Sequence, residues 1–207
     1  MNYFSLSLLL FFSVDSFGSQ NILDAEFTNA LSEIKSEQAS LETQYFNLKL
    51  TQYKLPSFIY SSEVENYPVG SGSIVAIDKY HLIYISAGGE AAMIDVQNKK
   101  YNIGAVPKLD LGLSSFDQTE HYNVIETGPR VLDALIHKNI LYVSHNFYNK
   151  SDDNIYYVIS KLELSKPSRW VVFYKSAPLD IRYFALGHGG AMAVSKHGDL
   201  YFSIGDQ

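Results

Sequence analysis

The residue with the clearest potential for chemistry is His188, which lies within the segment Gly187-His188-Gly189-Gly190. An imidazole titrates near neutral pH, so a histidine can act as a general base. The flanking glycines would let a substrate or a cofactor approach the backbone closely. A lone histidine between glycines is also a common turn residue, so this segment alone leaves the catalytic and the structural interpretations open.

The other candidate ligands do not predict a metal site. His121, His137 and His145 match no recognised spacing of metal ligands, so we expect them on strand faces or in loops. Residues 152–154 (Asp-Asp-Asn) are rich in oxygen ligands but lack the glycine and glutamate of an EF-hand loop, which favours a solvated hairpin tip. The absence of cysteine excludes disulfides, thiolate metal sites and cysteine nucleophiles.

The composition predicts a folded, strand-rich protein. The chain has 207 residues, 46% of them hydrophobic and 14% aromatic. This is enough for a core in one domain, or in a small domain with an appendage. Aromatic enrichment favours strands over helices. The formal charge is −6 and no cluster of Lys and Arg stands out, so a nucleic-acid partner is not expected.

The N-terminal residues predict export. The run from Leu6 to Val14 is nearly all apolar, and the small residues Ser16 and Gly18 follow it. This pattern predicts a signal peptide over residues 1–18 and a periplasmic or secreted protein. The run is shorter than the roughly 20 residues that cross a bilayer, so no stable membrane span is expected. No Lys or Arg precedes the run, and an uncleaved anchor or a buried strand is the alternative.

Residues 19–55 predict an amphipathic, coiled-coil-like helix. Phe27, Ile34, Leu41 and Leu48 recur every seven positions, which is the spacing of a coiled-coil stripe. Such a helix could mediate formation of a homo-oligomer, or it could pack on the domain that follows. The stripe is short for an independent coiled coil, and Gln38 interrupts it, so both interpretations stay open.

The sequence of residues 56–207 predicts short strands separated by turns, among them 91–96, 155–164 and 170–175. Three segments share a strand, a polar turn and a second strand that contains tyrosine: residues 74–86, 135–144 and 192–204. Their spacing suits the blades of a β-propeller, in which each blade is a four-stranded sheet. Three copies predict about three blades, and propellers typically have at least four, so the region is predicted to be an incomplete propeller.

The last twenty residues carry a more specific pattern. The residues of this pattern, in order, are His188, Gly190, Gly198, Leu200, Tyr201, Gly205 and Asp206. In order and spacing they resemble a segment of the soluble quinoprotein glucose and sorbosone (aldose sugar) dehydrogenases. A looser likeness covers Val131 to His137 and Leu141 to Ser144. The resemblance extends over about residues 70–207.

The resemblance implies a mainly β fold, here a partial six-bladed β-propeller preceded by the N-terminal amphipathic helix. It implies pyrroloquinoline quinone (PQQ) and calcium as cofactors, and oxidation of the C1 hydroxyl of an aldose sugar to a lactone. His188 corresponds to the family's catalytic base. Arg130 could pair with a carboxylate of the quinone, although an arginine in such a position is more often a solvated surface residue.

Two departures from the family pattern keep a second function open. Gly187 replaces an acidic residue that often precedes the histidine, and residues 126–133 lack the family's glutamine and glycines. Most cofactor ligands would lie beyond Gln207, so the chain as given is expected to be inactive. The sequence therefore predicts a fragment or a relative of a PQQ-dependent sugar dehydrogenase. The alternative is a non-catalytic exported β-propeller that binds sugar or protein.

Overall fold

The computed structural model describes residues 32–33, 35–42, 47–54, 72–116, 129–179 and 189–204. Within these ranges the chain is mainly β, as predicted, with thirteen strands and one short 3₁₀ turn at Leu113–Ser115. These ranges contain no α-helix. They likewise hold no helix long and apolar enough to cross a membrane.

The first described residues form strands instead of the predicted helix. They are β1 (Ser32–Glu33), β2 (Lys35–Glu42) and β3 (Asn47–Lys54), and β2 pairs with β3 in an antiparallel hairpin. Leu41 lies opposite Leu48 in this hairpin, so their seven-residue spacing marks a cross-strand pair and not two helical turns. The helix prediction for residues 19–55 is therefore wrong over these strands. The rest of that segment and the predicted signal peptide lie outside the described residues.

Sheet one is an antiparallel meander with one added strand. Its consecutive strands are β4 (Ser73–Ala76), β5 (His81–Ile85), β6 (Ala91–Asp95) and β7 (Lys100–Ile103), and β1 pairs with the outer edge of β7. The carboxylate of Asp78 closes the first turn by accepting the backbone N–H groups of Tyr80 and His81 at 2.7 and 2.9 Å. Aspartate favours such turns because its short side chain bonds the backbone two residues on.

Sheet two is a second meander of four consecutive strands. They are β8 (Val131–His137), β9 (Ile140–Asn149), β10 (Asn154–Glu163) and β11 (Val171–Leu179). Lys138 and Asn139 connect β8 to β9 with φ angles of 48° and 63°, as the two-residue turns of right-twisted hairpins require. The pairing of β10 with β11 is less regular and shifts register twice.

Sheet three consists of the antiparallel strands β12 (Gly189–Val194) and β13 (Leu200–Ile204). The pairs β4–β5, β8–β9 and β12–β13 coincide with the three repeated segments found in the sequence. The strand–turn–strand prediction is thus confirmed as the first hairpin of each sheet.

The main core lies between sheets one and two. Apolar side chains of both sheets meet there, among them Ile83, Ile85, Met93, Leu141, Val143 and Leu162. Sheet three packs on the other face of sheet two through aromatic rings: Phe202 stacks on Tyr157 with 5.9 Å between ring centroids, and it lies 4.9 Å from Tyr174. Sheet two is therefore the middle layer.

The first strands of the three sheets are neighbours, since β8 contacts both β4 and β12. Gly190 lies against Leu132, and Met192 bonds to Asp133, so β8 and β12 run in the same direction. The N–H of Val131, at the start of β8, also donates to the carbonyl of Ala87, which lies just after the end of β5. That end of β5 pairs with the start of β4. The starts of β4, β8 and β12 thus lie together at what we call the strand-start end.

Candidate functional site

Backbone hydrogen bonds join the sheets at the strand-start end. The N–H of Val131 donates to the carbonyl of Ala87 at 3.0 Å and connects β8 to sheet one. The N–H of Asn146 donates to the carbonyl of Arg130 at 2.9 Å, which fixes the backbone of Arg130 beside β9. The position of Arg130 is therefore set by the two sheets and does not depend on its own side chain.

Glu90 is an ionised carboxylate at this end. One of its oxygens accepts the hydroxyl of Ser86 and the other the ammonium of Lys108, each at 2.6 Å. Burial would raise the pKa of the Glu90 carboxyl, but the hydrogen bonds from Lys108 and Ser86 outweigh burial and hold the pKa below its ordinary value. Both oxygens have partners, and these contacts stabilise the turn between β5 and β6.

Arg130 is half-buried at the start of β8. No carboxylate of a described residue pairs with its guanidinium. An arginine that is held by its backbone and pairs with no described carboxylate can bind a planar anion through two parallel hydrogen bonds. Of the two site residues that the sequence proposed, Arg130 is the one that the structure describes.

His188 lies outside the described residues, and β12 begins directly after it. Gly189 and Gly190 have φ angles of 58° and 96°, in the left-handed region that favours glycine. A Cβ atom on Gly190 would lie only 2.5 Å from the Cβ of Leu132. Gly190 is therefore required by the packing of β12 on β8, a structural reason that the sequence did not suggest.

A polar clamp that the sequence analysis missed holds β12 against sheet two. The hydroxyl of Ser144 donates to the carbonyl of Gly190 at 2.6 Å. The carboxylate of Asp133 accepts the N–H of Met192 with one oxygen and that of Ala134 with the other, both at 2.8 Å. An aspartate inside an otherwise apolar strand was the available signal, because a half-buried carboxylate needs donors.

His145 is buried between sheets one and two. Its Nδ1 lies 3.3 Å from the carbonyl oxygen of Asn146, so Nδ1 carries the proton, and Nε2 accepts the hydroxyl of Ser160 at 2.9 Å. Burial lowers the pKa of His145 to about 4. The pair has the connectivity of a nucleophilic serine and its base, but both side chains are buried, so the contact stabilises the core.

The other polar candidates lie at turns and strand ends where the structure describes them. Asp152 and Asp153 are exposed at the β9–β10 turn, where they accept the hydroxyls of Tyr156 and Tyr148, which confirms a hairpin tip. His137 lies at the end of β8, and His121 is outside the described residues. Among the described residues, no group of three or more His, Cys, Asp or Glu side chains could hold a metal ion.

Comparisons with known proteins give limited information. No family model matches the chain, and no curated protein does. A solved structure described as "glucose dehydrogenase" is similar at 12% identity and a TM-score of 0.48. A second, described as "Crystal structure of glucose dehydrogenase", has 11% identity and a TM-score of 0.43. In both cases the match covers 64% of this chain and 37% of the other. Likeness at this level identifies neither a family nor an activity.

Proposed function

We propose that this chain is a relative of the quinone-dependent sugar dehydrogenases and that it binds its ligands at the strand-start end. The observation that carries the proposal is the alignment of the first strands of the three sheets. Because β8 and β12 run in the same direction, Arg130 before β8 and Gly189 at the start of β12 lie at the same end of the sheets. The sequence resemblance selects Arg130 and His188, the residue that directly precedes Gly189.

The proposal includes a β-propeller architecture. Two consecutive four-stranded meanders and a third hairpin pack face to face, and their first strands are neighbours in series. A propeller repeats such sheets around a central channel that the first strands line. The strand-start end would then be one mouth of that channel, where a ligand contacts several sheets at once.

The described residues fit one part of the quinone cofactor. PQQ carries carboxylates, and the Arg130 guanidinium has the geometry to bind one of them through two hydrogen bonds. The described residues do not form a calcium site, because they contain no group of three or more His, Cys, Asp or Glu side chains that could hold a metal ion. We therefore assign Arg130 to the quinone and assign no residue to calcium.

His188 is the proposed base on the sugar. When bound, a quinone cofactor accepts a hydride from the C1 carbon of an aldose. The C1 hydroxyl must lose its proton in the same reaction, and a neutral imidazole at position 188 would accept it. The polar clamp at Ser144 and Asp133 fixes the backbone just after this position. Arg130 would orient the cofactor, and His188 would remove the proton.

The test is a titration of the protein with PQQ, followed by absorbance and by retention on a desalting column. We expect saturable binding by the wild type and binding about 10- to 150-fold weaker in Arg130→Gln, since a hydrogen bond to a charged group contributes about 1.5–3 kcal/mol. Arg169→Gln is the matched control, because Arg169 is an exposed arginine in the loop before β11. If Arg130→Gln and the wild type bind PQQ equally well, Arg130 does not bind a carboxylate of the quinone.

A dye-linked assay with glucose separates the dehydrogenase from a binding protein. If the wild type turns over, His188→Gln is expected to lower the rate by about 10²–10⁴-fold, the usual contribution of a general base. A wild type that binds no quinone, with or without added calcium, would contradict the proposal and favour the non-catalytic β-propeller that binds sugar or protein.

Export to the periplasm or to the medium is part of the same proposal. Oxidation of a sugar outside the cytoplasm requires export, and we expect cleavage after the apolar N-terminal run, near Gly18. N-terminal sequencing of the exported protein tests this. A chain that retains Met1 contradicts it.

A further inference from the structure

The edge of sheet two carries an apolar segment that stays exposed, although the ring of Phe173 meets that of Tyr142 edge-on at 5.4 Å. Val171, Val172 and Phe173 begin β11, and all three are exposed, Val172 by 60%. Within the described residues β11 has β10 as its single neighbour, so no described strand pairs with the backbone groups on its other side. Three consecutive exposed apolar residues on an edge strand form a template for pairing with another extended chain.

The two halves of β11 differ in how they are protected from pairing with another chain. Lys175 and Pro178 occupy the second half, and charged residues and proline are the usual means of blocking an edge strand. The Lys175 ammonium also lies over the ring of Tyr156, 3.5 Å from its centroid. The first half, from Val171 to Phe173, has no charged residue or proline, and its pairing with β10 shifts register at Phe173. The open part of the edge is therefore short and well defined, and we call it the β11 edge.

Cations surround the β11 edge in a chain whose net charge is −6. Lys166 and Arg169 are exposed in the preceding loop, and neither pairs with a carboxylate of a described residue. The ammonium of Lys161 lies over the ring of Phe173, 5.6 Å from its centroid. The nearby carboxylate of Glu163 accepts the hydroxyl of Ser165. The local charge is positive, so an incoming strand with acidic side chains is complementary to it.

The same charges disfavour a second copy of this chain as the occupant. Two copies that pair antiparallel about Val172, the most exposed residue of the edge, would place Arg169 of each copy opposite Lys175 of the other. Like charges that face each other across a strand pair are destabilising. An acidic segment would instead form an ion pair at both positions.

From these contacts we infer that the β11 edge is a docking site for an extended, acidic segment of a partner protein, which adds to sheet two as a fifth strand. Backbone hydrogen bonds would supply the affinity, and Arg169 and Lys175 would select for acidic side chains. The inference is independent of the proposed function, because β11 is the last strand of sheet two and the strand-start end lies at its first strand.

The experiment uses a labelled, end-blocked peptide of sequence ETVTVTE and its charge-reversed form KTVTVTK, with binding measured by fluorescence anisotropy. Trp170 is the only tryptophan of the chain and directly precedes the edge, so a change in its emission locates the peptide. We expect the acidic peptide to bind, the basic one not to bind, and a peptide with a central proline, ETVPVTE, to lose most of the binding.

Two pairs of variants test the edge itself. Val172→Asp is expected to abolish binding of the acidic peptide, whereas Val172→Thr, which keeps a β-branched side chain, should retain it. Arg169→Gln should weaken binding by about two- to fivefold, the value of one exposed ion pair. Lys150→Gln, at the exposed β9–β10 tip, should have no effect. Near-UV circular dichroism verifies that the variants fold.

Three results would overturn the inference. The first is equal binding, or no binding, of the acidic and basic peptides. The second is a dimer in sedimentation velocity that Val172→Asp dissociates, which would make a second copy the occupant. The third is binding to phosphatidylserine vesicles without peptide binding, which would assign the edge to a membrane surface.

Discussion

The carboxylate of Asp133 accepts the backbone N–H of Met192 at 2.8 Å, and its second oxygen accepts the N–H of Ala134. One side chain in β8 therefore completes the hydrogen bonding of its own strand and connects that strand to β12. This contact, together with the bond from Ser144 to Gly190, holds sheet three on sheet two.

Replacement of Asp133 by alanine should weaken the attachment of sheet three. The variant leaves the N–H of the half-buried Met192 without its partner, at a cost of about 1–3 kcal/mol in the free energy of unfolding. Asp133→Asn keeps one acceptor oxygen and should lose less. Urea unfolding compares the two variants. If both variants have the same free energy of unfolding as the wild type, the hydrogen bond from Met192 to Asp133 does not contribute to stability.

Gly190→Ala tests the close packing of β12 on β8. Gly104→Ala is the matched control, because Gly104 also has a positive φ, 100°. A Cβ atom on Gly104 would have no neighbour within 4 Å, whereas a Cβ atom on Gly190 would meet Leu132 at 2.5 Å. Both variants should lose about 1–3 kcal/mol from backbone strain. Gly190→Ala should lose a further 1–3 kcal/mol, roughly, from overpacking. Thermal unfolding measures the difference, and equal losses would contradict the steric explanation.

His145 should make the stability depend on pH. The folded state keeps the imidazole neutral down to about pH 4, whereas the unfolded chain binds the proton near the ordinary pKa of 6.5. The stability that this burial contributes is therefore complete above pH 6.5 and is lost as the pH falls to about 4. The total loss is about 3 kcal/mol, at 1.36 kcal/mol per pKa unit. Urea unfolding between pH 7 and pH 4 measures it.

The control for this dependence is a second histidine. In His145→Asn the steep part of the curve between pH 6.5 and pH 4 should flatten. His197→Gln, which changes an exposed turn residue, should leave the curve unchanged. A wild-type slope that persists in His145→Asn would assign the pH dependence to other groups.

Tyr157 and Tyr148 should respond in opposite directions to replacement by phenylalanine. The buried hydroxyl of Tyr157 makes no hydrogen bond of ordinary length with a described residue, and burial raises its pKa to about 12. Tyr157→Phe should therefore be neutral, or stabilising by up to about 1 kcal/mol. The hydroxyl of Tyr148 donates to Asp153 at 2.8 Å, so Tyr148→Phe should cost about 0.5–1.5 kcal/mol. Chemical unfolding of both variants checks the signs.

The sequence predicted most strands of the meanders because their signals are local. Alternating apolar residues and a turn such as Lys138-Asn139 fix a hairpin within about twenty residues. β7 was missed because Lys99 and Lys100 favour a turn and because only Tyr101 and Ile103 alternate before Gly104. The β2–β3 hairpin was missed because a seven-residue spacing fits both a helix and a cross-strand pair.

The contacts between sheets could not be predicted in the same way. The bond from Met192 to Asp133 joins residues of different sheets, and no local pattern reports which strands become neighbours. The burial of His145 likewise depends on the packing of sheet one on sheet two. Arg130 and His188 were proposed from family resemblance, and the structure adds the position of Arg130 at the strand-start end.

β1 has a consequence for how the chain folds. Ser32 of β1 pairs with Tyr101 of β7, and the other strands of sheet one lie between these two residues in the sequence. Every other strand pair within the described ranges joins strands that follow one another in sequence. The local hairpins close short loops and lose little chain entropy, but β1 must close a much longer loop for two residues of pairing. We therefore expect β1 to join the sheet late, after the folding barrier, so changes in β1 should alter how fast the protein unfolds and hardly alter how fast it folds.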